Sequence, residues 1–167
     1  MQMLFKGNYI YSNFLPYDYI LTWILISTPI LYVILFIIGY ILIFKRFFIR
    51  FINIKSNTHY YDLWRGNNEK KDFFILFNIT AIIFYLITSE VVLYTGWRQV
   101  YFINIFIVYI ATYAFYQIDL NLKLKSIKKF QFVIVSLCLV FIVYKMIIYH
   151  PYQNIYFNNF FKKNAQE

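Results

Sequence analysis

The sequence predicts an all-α protein, a polytopic membrane helical bundle with about four transmembrane helices in a single membrane domain, residues 1–167. The first observation is composition: 62% of the 167 residues are hydrophobic and 14% are charged. A water-soluble domain of this size could not bury that much apolar surface. The second is a series of apolar runs, each long enough to cross a bilayer as a helix. The third is the position of the basic residues, which lie between these runs.

The elements follow in order. Residues 1–19 form a short polar and aromatic lead, which lacks the features of a signal peptide, so we expect the N-terminus to be retained. The first span is expected over residues 20–44 as one helix, in which Pro29 gives a kink rather than an end. The basic side chains just after it are expected to snorkel from a helix that continues into the interface. The remaining spans are expected over residues 73–94, 100–118 and 130–149, followed by an aromatic, Asn-rich tail at 150–167.

The lysines and arginines predict the orientation of these spans. The second loop holds only Arg98. The first and third loops are basic: they hold Lys45, Arg46, Arg50, Lys55, Arg65, Lys70 and Lys71, and Lys123, Lys125, Lys128 and Lys129, respectively. By the positive-inside rule both basic loops face the electrically negative compartment in which the chain is translated, and both termini lie on the other side of the membrane. The net charge of +9 therefore indicates topology, and no nucleic-acid partner is expected.

The chemistry of soluble enzymes has little support in this sequence. The four glycines are scattered, so there is no phosphate-binding loop. Cys138 is the single cysteine and lies in an apolar run, and His59 and His150 do not sit at matching depths as haem ligands would. We therefore expect no catalytic, cofactor-binding or metal-binding residue in this chain. Ile, Phe, Tyr, Asn and Lys make up more than half of it, a bias typical of A+T-rich organellar genomes.

Glu90 is the one carboxylate within the apolar run 73–94. An ionised acid in hydrocarbon costs about 3 kcal/mol or more, so such a group is normally protonated, paired, or turned towards protein or water. No basic residue lies within a turn or two of Glu90 on the expected helix, which favours the protonated form. The alternative is a shifted helix with Glu90 near the headgroups. Glu90 is thus a candidate buried membrane carboxylate.

The run Ile87, Thr88, Ser89, Glu90, Val91 resembles the third helix of cytochrome c oxidase subunit III, which carries an I-[TVI]-S-E-[VA] signature. That family places W-W-R-D-V-x-R-E on the matrix side just before this helix. Residues 59–65, HYYDLWR, keep the acid and the arginine of that motif as Asp62 and Arg65. Further along, Thr112–Tyr116 stands where the family has T-W-A-H-H, and residues 149–161 follow the order of its E-Y, S-P-F and G-I-Y-x-S-x-F-F motifs. The resemblance covers about residues 59–161 in short, collinear motifs.

The departures from the family are also specific. Phe115 and Tyr116 replace both histidines of its fourth helix, and Ile148 replaces the glutamate before its fifth-helix tyrosine. The long loop after the third helix is nearly absent. The sixth and seventh helices have no counterpart. The first two helices of the family form a hairpin, whereas residues 20–44 read as one span, corresponding to the second; a hairpin over residues 20–50 is the alternative. We therefore expect a second polypeptide to supply the missing helices, docked near residues 149–161.

The resemblance implies a chain that does no redox chemistry itself. Haem and copper would lie in partner subunits, and this chain would pack chiefly against subunit I, hold structural phospholipid and support proton uptake in the mitochondrial inner membrane. The matrix-side motif supplies possible lipid contacts, because aromatic rings and a guanidinium suit a headgroup and its phosphate; these residues are Tyr60, Tyr61, Asp62, Trp64 and Arg65. Ordinary interfacial anchoring explains each of them equally well.

Two other functions stay open at the sequence level. Subunit 3 of respiratory complex I has an acid followed by an apolar run to a tryptophan, and the interval from Glu90 to Trp97 fits that spacing. The loop motif Y-E-C-G-F-D-P of that family is absent, and the fourth span has no place in it. A stand-alone four-helix membrane protein, such as a toxin-immunity protein or a small transporter, is the second alternative.

Overall fold

The computed structural model describes residues 2–52, 67–89, 91–93 and 98–150. Within these ranges the chain is a helical membrane protein, as predicted. A short hairpin of β1 (Gln2–Phe5) and β2 (Asn8–Tyr11) precedes the helices. The helices are α1 (Tyr19–Ser27), α2 (Ile30–Ile52), α3 (Asn67–Thr88), α4 (Ile103–Asn121) and α5 (Lys125–Ile148). A short 3₁₀ turn, Arg98–Val100, leads into α4. Helices α2 to α5 are each long and apolar enough to cross a membrane.

The expectation of one kinked helix over residues 20–44 is wrong, because Pro29 separates two helices. Thr28, the residue before the proline, is extended at φ −94 and ψ 135, which ends α1. Proline disfavours helical geometry in its predecessor, while its own fixed φ suits the start of a helix. The first backbone bond of α2 accordingly runs from the amide of Val33 to the carbonyl of Pro29 at 3.2 Å. α1 has 9 residues, about 14 Å of helix, too short to cross a bilayer.

The helix expected over residues 73–94 is displaced towards the N-terminus. α3 begins at Asn67, and its first turn carries Glu69, which suits the positive end of the helix dipole. It ends at Thr88, whose hydroxyl donates to the carbonyl of Phe84 at 3.0 Å. Residues 91–93 are not helical, so the expected continuation to residue 94 is also wrong.

Helix α4 forms the centre of the bundle. Its buried residues recur every three or four positions along one stripe: Ile103, Ile107, Ile110, Ala111 and Ala114. Its most extensive packing is against α2, where a Cβ on Gly39 would overlap the carbonyl oxygen of Ile110. Glycine at this position lets the two helix backbones approach closely, as small residues do at membrane helix contacts.

Side-chain pairs between α2 and α3 show that these two helices are antiparallel. Tyr40 contacts Thr80 through hydroxyl groups 3.1 Å apart, and Phe47 stacks on Phe73 with ring centroids 4.4 Å apart. Later positions of α2 thus meet earlier positions of α3. The end of the bundle holding the C-terminus of α2 therefore also holds the N-terminus of α3.

Helix α5 differs from the other spanning helices because it has no buried residue. Its contacts with α4 lie in its first two turns. The ring of Phe132 meets that of Phe115 edge-on, with centroids 5.2 Å apart, and Lys128 Nζ lies 3.5 Å from Asp119 Oδ2. Beyond Phe132 most side chains are exposed, while Val135, Cys138, Ile142 and Lys145 recur every three or four positions and are half-buried.

Candidate functional site

The described helices meet in a charged cluster centred on Asp72, the most deeply buried acid among the described residues, with 5% of its surface exposed. Its Oδ2 accepts a hydrogen bond from Arg46 Nη2 at 2.8 Å. Its Oδ1 accepts one from the Tyr109 hydroxyl at 2.7 Å. The carboxylate is thus bonded on both oxygens by side chains of α2 and α4, and it ties three helices together.

Two further contacts extend this cluster. The guanidinium carbon of Arg46 lies 5.5 Å from the ring centroid of Tyr113, a cation–π geometry. Arg50, one turn after Arg46, donates from Nη2 to Glu69 Oε1 at 2.5 Å. A charge out of water is tolerated only when it is paired and hydrogen-bonded, and both acids satisfy that condition. We call these six residues the helix clamp: Arg46, Arg50, Glu69, Asp72, Tyr109 and Tyr113.

The sequence carries a signal for this clamp that composition alone does not reveal. Arg46 and Arg50 are four residues apart, and Glu69 and Asp72 are three apart, so each pair lies on one helical face. Opposite charges on matching faces of consecutive antiparallel helices predict ion pairs. Arg46 and Arg50, which we expected to snorkel to the interface, are both paired with acids of α3.

The polar groups of the clamp have electrostatic support from the helices that carry them. Glu69 and Asp72 lie in the first turns of α3, where the helix dipole favours negative charge. Arg50 lies in the last turn of α2, where it favours positive charge. The arrangement can hold helices in register. It contains no nucleophile placed next to a general base, which is the combination that covalent catalysis needs.

An apolar groove runs between α2 and α3, with a volume of about 420 Å³. Its lining is aliphatic and aromatic apart from the hydroxyl groups of Tyr40 and Thr80. Thr80 Oγ1 donates to the carbonyl of Leu76 at 2.7 Å, so the Tyr40 hydroxyl donates to Thr80. The groove therefore offers an apolar, chain-shaped surface with little unsatisfied polarity, which suits an acyl chain.

The residues singled out from the sequence lie elsewhere. Glu90 is outside the described residues, as are Tyr60, Tyr61, Asp62, Trp64 and Arg65. Neither the buried-carboxylate prediction nor the lipid-contact prediction is tested by this structure. Among residues 2–52, 67–89, 91–93 and 98–150, no group of three or more His, Cys, Asp or Glu residues is placed to hold a metal ion.

Comparison with known proteins gives no family assignment: no protein-family model, curated protein or solved structure matches the chain.

Proposed function

We propose that this membrane protein is a non-catalytic subunit of a larger membrane complex, similar to subunit III of mitochondrial cytochrome c oxidase. The observation that carries the proposal is the contrast between α5 and the rest of the bundle. Helices α2, α3 and α4 are joined by the helix clamp and by the close contact at Gly39. α5 spans the membrane with no buried residue. Most of its apolar side chains are exposed and form a surface on which other helices can pack.

The collinear motifs over residues 59–161 make the proposal more specific. Under it, haem and copper belong to partner subunits, which carry out electron transfer from cytochrome c to oxygen. This chain packs chiefly against subunit I and supports assembly and proton uptake. It resides in the mitochondrial inner membrane with its basic loops in the matrix. A second polypeptide supplies helices that contact α5 and the region after it.

Phospholipid binding has support from the groove between α2 and α3. Its volume of about 420 Å³ and its apolar lining suit an acyl chain. Arg46 and Arg50 lie on α2 towards the end at which basic residues are frequent, where a phosphate headgroup is attracted. Because both guanidinium groups are already paired with acids, we assign them to helix packing and assign the headgroup contact to the matrix-side motif.

The proposal is tested by purifying the affinity-tagged full-length chain from its native membranes in a mild detergent. We expect subunits I and II of cytochrome c oxidase to copurify in fixed stoichiometry, with haem absorbance in the same fractions. Subunits of complex I in their place would favour the alternative suggested by the interval from Glu90 to Trp97. A chain that purifies alone would favour a stand-alone membrane protein.

Crosslinking from α5 tests the docking surface separately. A photoreactive residue in place of Val140, which is 66% exposed, should form a crosslink to another polypeptide in native membranes. The same photoreactive residue in place of Leu21, which lies at the groove, provides the matched position on another helix face. Crosslinks from residue 140 to lipid alone would refute the assignment of α5 to a protein partner.

A further inference from the structure

The hairpin at the N-terminus has two different faces, which its register defines. Directly paired residues of an antiparallel ladder lie on the same face. Leu4 pairs with Tyr9 and Gln2 pairs with Tyr11, so these four residues share one face. Phe5 pairs with Asn8, and that pair lies on the opposite face. We call the first set the outer face of the hairpin.

The opposite face packs against the helices. Phe5 is buried, and its ring lies 5.0 Å from that of Tyr19 at the start of α1. Ile10 also packs against the hydrophobic core. At the turn, Lys6 pairs with Asp18, the residue before α1. The hairpin is therefore fixed to the protein through one side, and its outer face is directed away from the core.

Apart from Gln2, whose Nε2 donates to the Tyr11 hydroxyl at 3.1 Å, the outer face is nevertheless apolar and aromatic. Leu4 is 57% exposed, Tyr9 76% and Tyr11 58%. A hairpin that met only water on this side would be expected to carry polar residues there, since half-buried strands alternate between apolar and polar positions. Tyrosine has an apolar ring and a polar hydroxyl, and it is enriched where a membrane meets water.

The backbone of the hairpin limits how deep it can lie. The sheet has two strands, so within the described residues each strand keeps one edge outside the ladder. Unpaired backbone amide and carbonyl groups are too costly in hydrocarbon, but water and headgroups can satisfy them at the interface. The exposed ion pair of Lys6 and Asp18 also requires access to water.

The position of α1 places the hairpin beside the bilayer. Leu21 of α1 lines the same groove as Ile37 of α2 and Phe84 of α3. α1 therefore lies against the side of the spanning helices, near the end where α2 begins and α3 finishes.

We propose that the outer face of the hairpin lies in the lipid headgroup region, so that residues 2–27 form a cap seated in the membrane interface. Its partner is the phospholipid surface itself. The outer tyrosines place their rings at the acyl boundary and their hydroxyl groups among the headgroups. This inference needs only a membrane-embedded bundle and is independent of the complex to which the chain belongs.

Spin-label depth measurements on the full-length chain test this proposal. Cys138 is replaced by serine, and single cysteines are introduced at Tyr9 or Tyr11 for labelling in vesicles of phosphatidylcholine and phosphatidylglycerol. Collision rates with oxygen, which partitions into lipid, are compared with those of a water-soluble nickel chelate. Lys123→Cys, in the turn before α5, serves as the aqueous reference, and Val140→Cys on α5 as the hydrocarbon reference.

We expect the ratio of oxygen to nickel collisions at positions 9 and 11 to fall between the two references. A ratio equal to that at position 123 would overturn the proposal, because the face would then meet only water. A ratio equal to that at position 140 would also overturn it, since the hairpin would then lie in hydrocarbon. Leu4→Cys provides a third label on the same face in case either tyrosine variant fails to fold. Crosslinks from residue 9 to a protein, with a water-like ratio in vesicles, would assign the face to a protein partner instead.

Discussion

At the residue scale, the helix clamp illustrates how a membrane protein can keep a charge away from water. Asp72 has no unsatisfied oxygen, because Arg46 and Tyr109 each donate to a different one. Removing one partner of a buried ion pair leaves the other uncompensated, whereas replacing both with apolar groups can be nearly neutral. The clamp therefore predicts strongly non-additive effects of substitution.

The first prediction concerns this non-additivity. Asp72→Asn should destabilise the bundle by up to about 3 kcal/mol, because it leaves the half-buried Arg46 guanidinium without its counter-charge. Tyr109→Phe removes one hydrogen bond and should cost about 0.5–1.5 kcal/mol. The double variant Arg46→Met with Asp72→Leu should recover much of the loss. Unfolding of the purified chain in mixed micelles with increasing denaturing detergent measures all three.

Asp119→Asn is the matched control for that series. Asp119 is paired with Lys128 at 3.5 Å, and its side chain is 24% exposed. More exposed ion pairs contribute little, typically about 0–1 kcal/mol. If Asp72→Asn costs no more than Asp119→Asn, the clamp does not hold the helices together.

A second residue-level prediction concerns Glu90. A hydrophobic carbodiimide modifies protonated acids in apolar surroundings, so it should label Glu90 and leave Asp72, which is paired with Arg46, unmodified. Glu90→Gln should preserve assembly and abolish labelling, while Glu90→Lys should impair assembly. Mass spectrometry of digested, labelled protein locates the adduct. Labelling confined to Asp62 or Glu69 would contradict the prediction.

At the scale of elements, the contact between α2 and α4 depends on the absence of a side chain. In an unconstrained helix, Gly→Ala is favourable by about 1 kcal/mol through helix propensity. At Gly39 a Cβ would lie 2.8 Å from Ile110 Cγ2 and closer still to the carbonyl oxygen of the same residue. Gly39→Ala therefore lowers the stability of the bundle only if the steric cost of the added Cβ exceeds the free energy gained from the higher helix propensity of alanine.

The third prediction follows from this opposition. Gly39→Ala should destabilise the bundle, and Gly39→Leu should do so far more, because Ile110 cannot move without displacing the centre of α4. Ile41→Leu, at an exposed position on the same helix, should have an effect within about 1.5 kcal/mol, as volume-conserving exchanges usually do. An increase in stability for Gly39→Ala would mean that the helices can separate at no cost.

The fourth prediction concerns the orientation of the elements. The basic stretches 45–71 and 123–129 should lie on one side of the membrane, in the matrix under the proposed location, and both termini on the other. Protease protection of tags at each terminus in intact mitoplasts checks this arrangement. Termini on opposite sides would contradict it. Among the described residues four helices are long enough to cross the membrane and α1 is too short, so these spans are even in number whether or not α1 enters the membrane.

At the scale of the whole molecule, the described chain has a part in which the helices are closely packed and a part, α5, that is largely exposed. The clamp and the Gly39 contact join α2, α3 and α4, while α5 is attached near its first two turns. In lipid such a helix gains no hydrophobic energy from packing on its neighbours, so it can remain apart until a partner offers close contacts. The proposed role as a subunit uses this open surface.

The fifth prediction is that the partner complex restricts the motion of α5. Hydrogen exchange should be faster in residues 133–148 than in α4 for the isolated chain, and it should slow in α5 when the chain is within its complex. Deuterium uptake, followed by mass spectrometry of the purified chain and of the native complex, measures both. Equal protection of α5 in the two states would argue against docking on this helix.

Much of this architecture was predictable from the sequence alone. Apolar runs identified the membrane class and four spanning helices, because hydrocarbon requires about 20 consecutive apolar residues whatever they pack against. Their ends were less predictable. Hydropathy marks where a helix leaves the lipid, whereas α3 continues to Asn67 through polar residues that bond to α2. Pro29 was also compatible with two outcomes, a kink within one helix or the end of a helix, and the sequence did not distinguish them.

The hairpin, the helix clamp and the exposure of α5 were decided by the tertiary structure. Lys6 and Gly7 both adopt positive φ, at 49° and 77°, and thereby form a two-residue turn without the usual Asn-Gly signal. The spacing of the arginines and of the acids indicates two charged helix faces, but the partners of Asp72 lie 26 residues before it and 37 residues after it, so the packing of the helices decides which side chains pair. Composition determines that a chain enters the membrane, because the free energy of transfer from water to lipid is a sum over residues. Which side chains meet inside the bundle depends on distances that only the packed helices define.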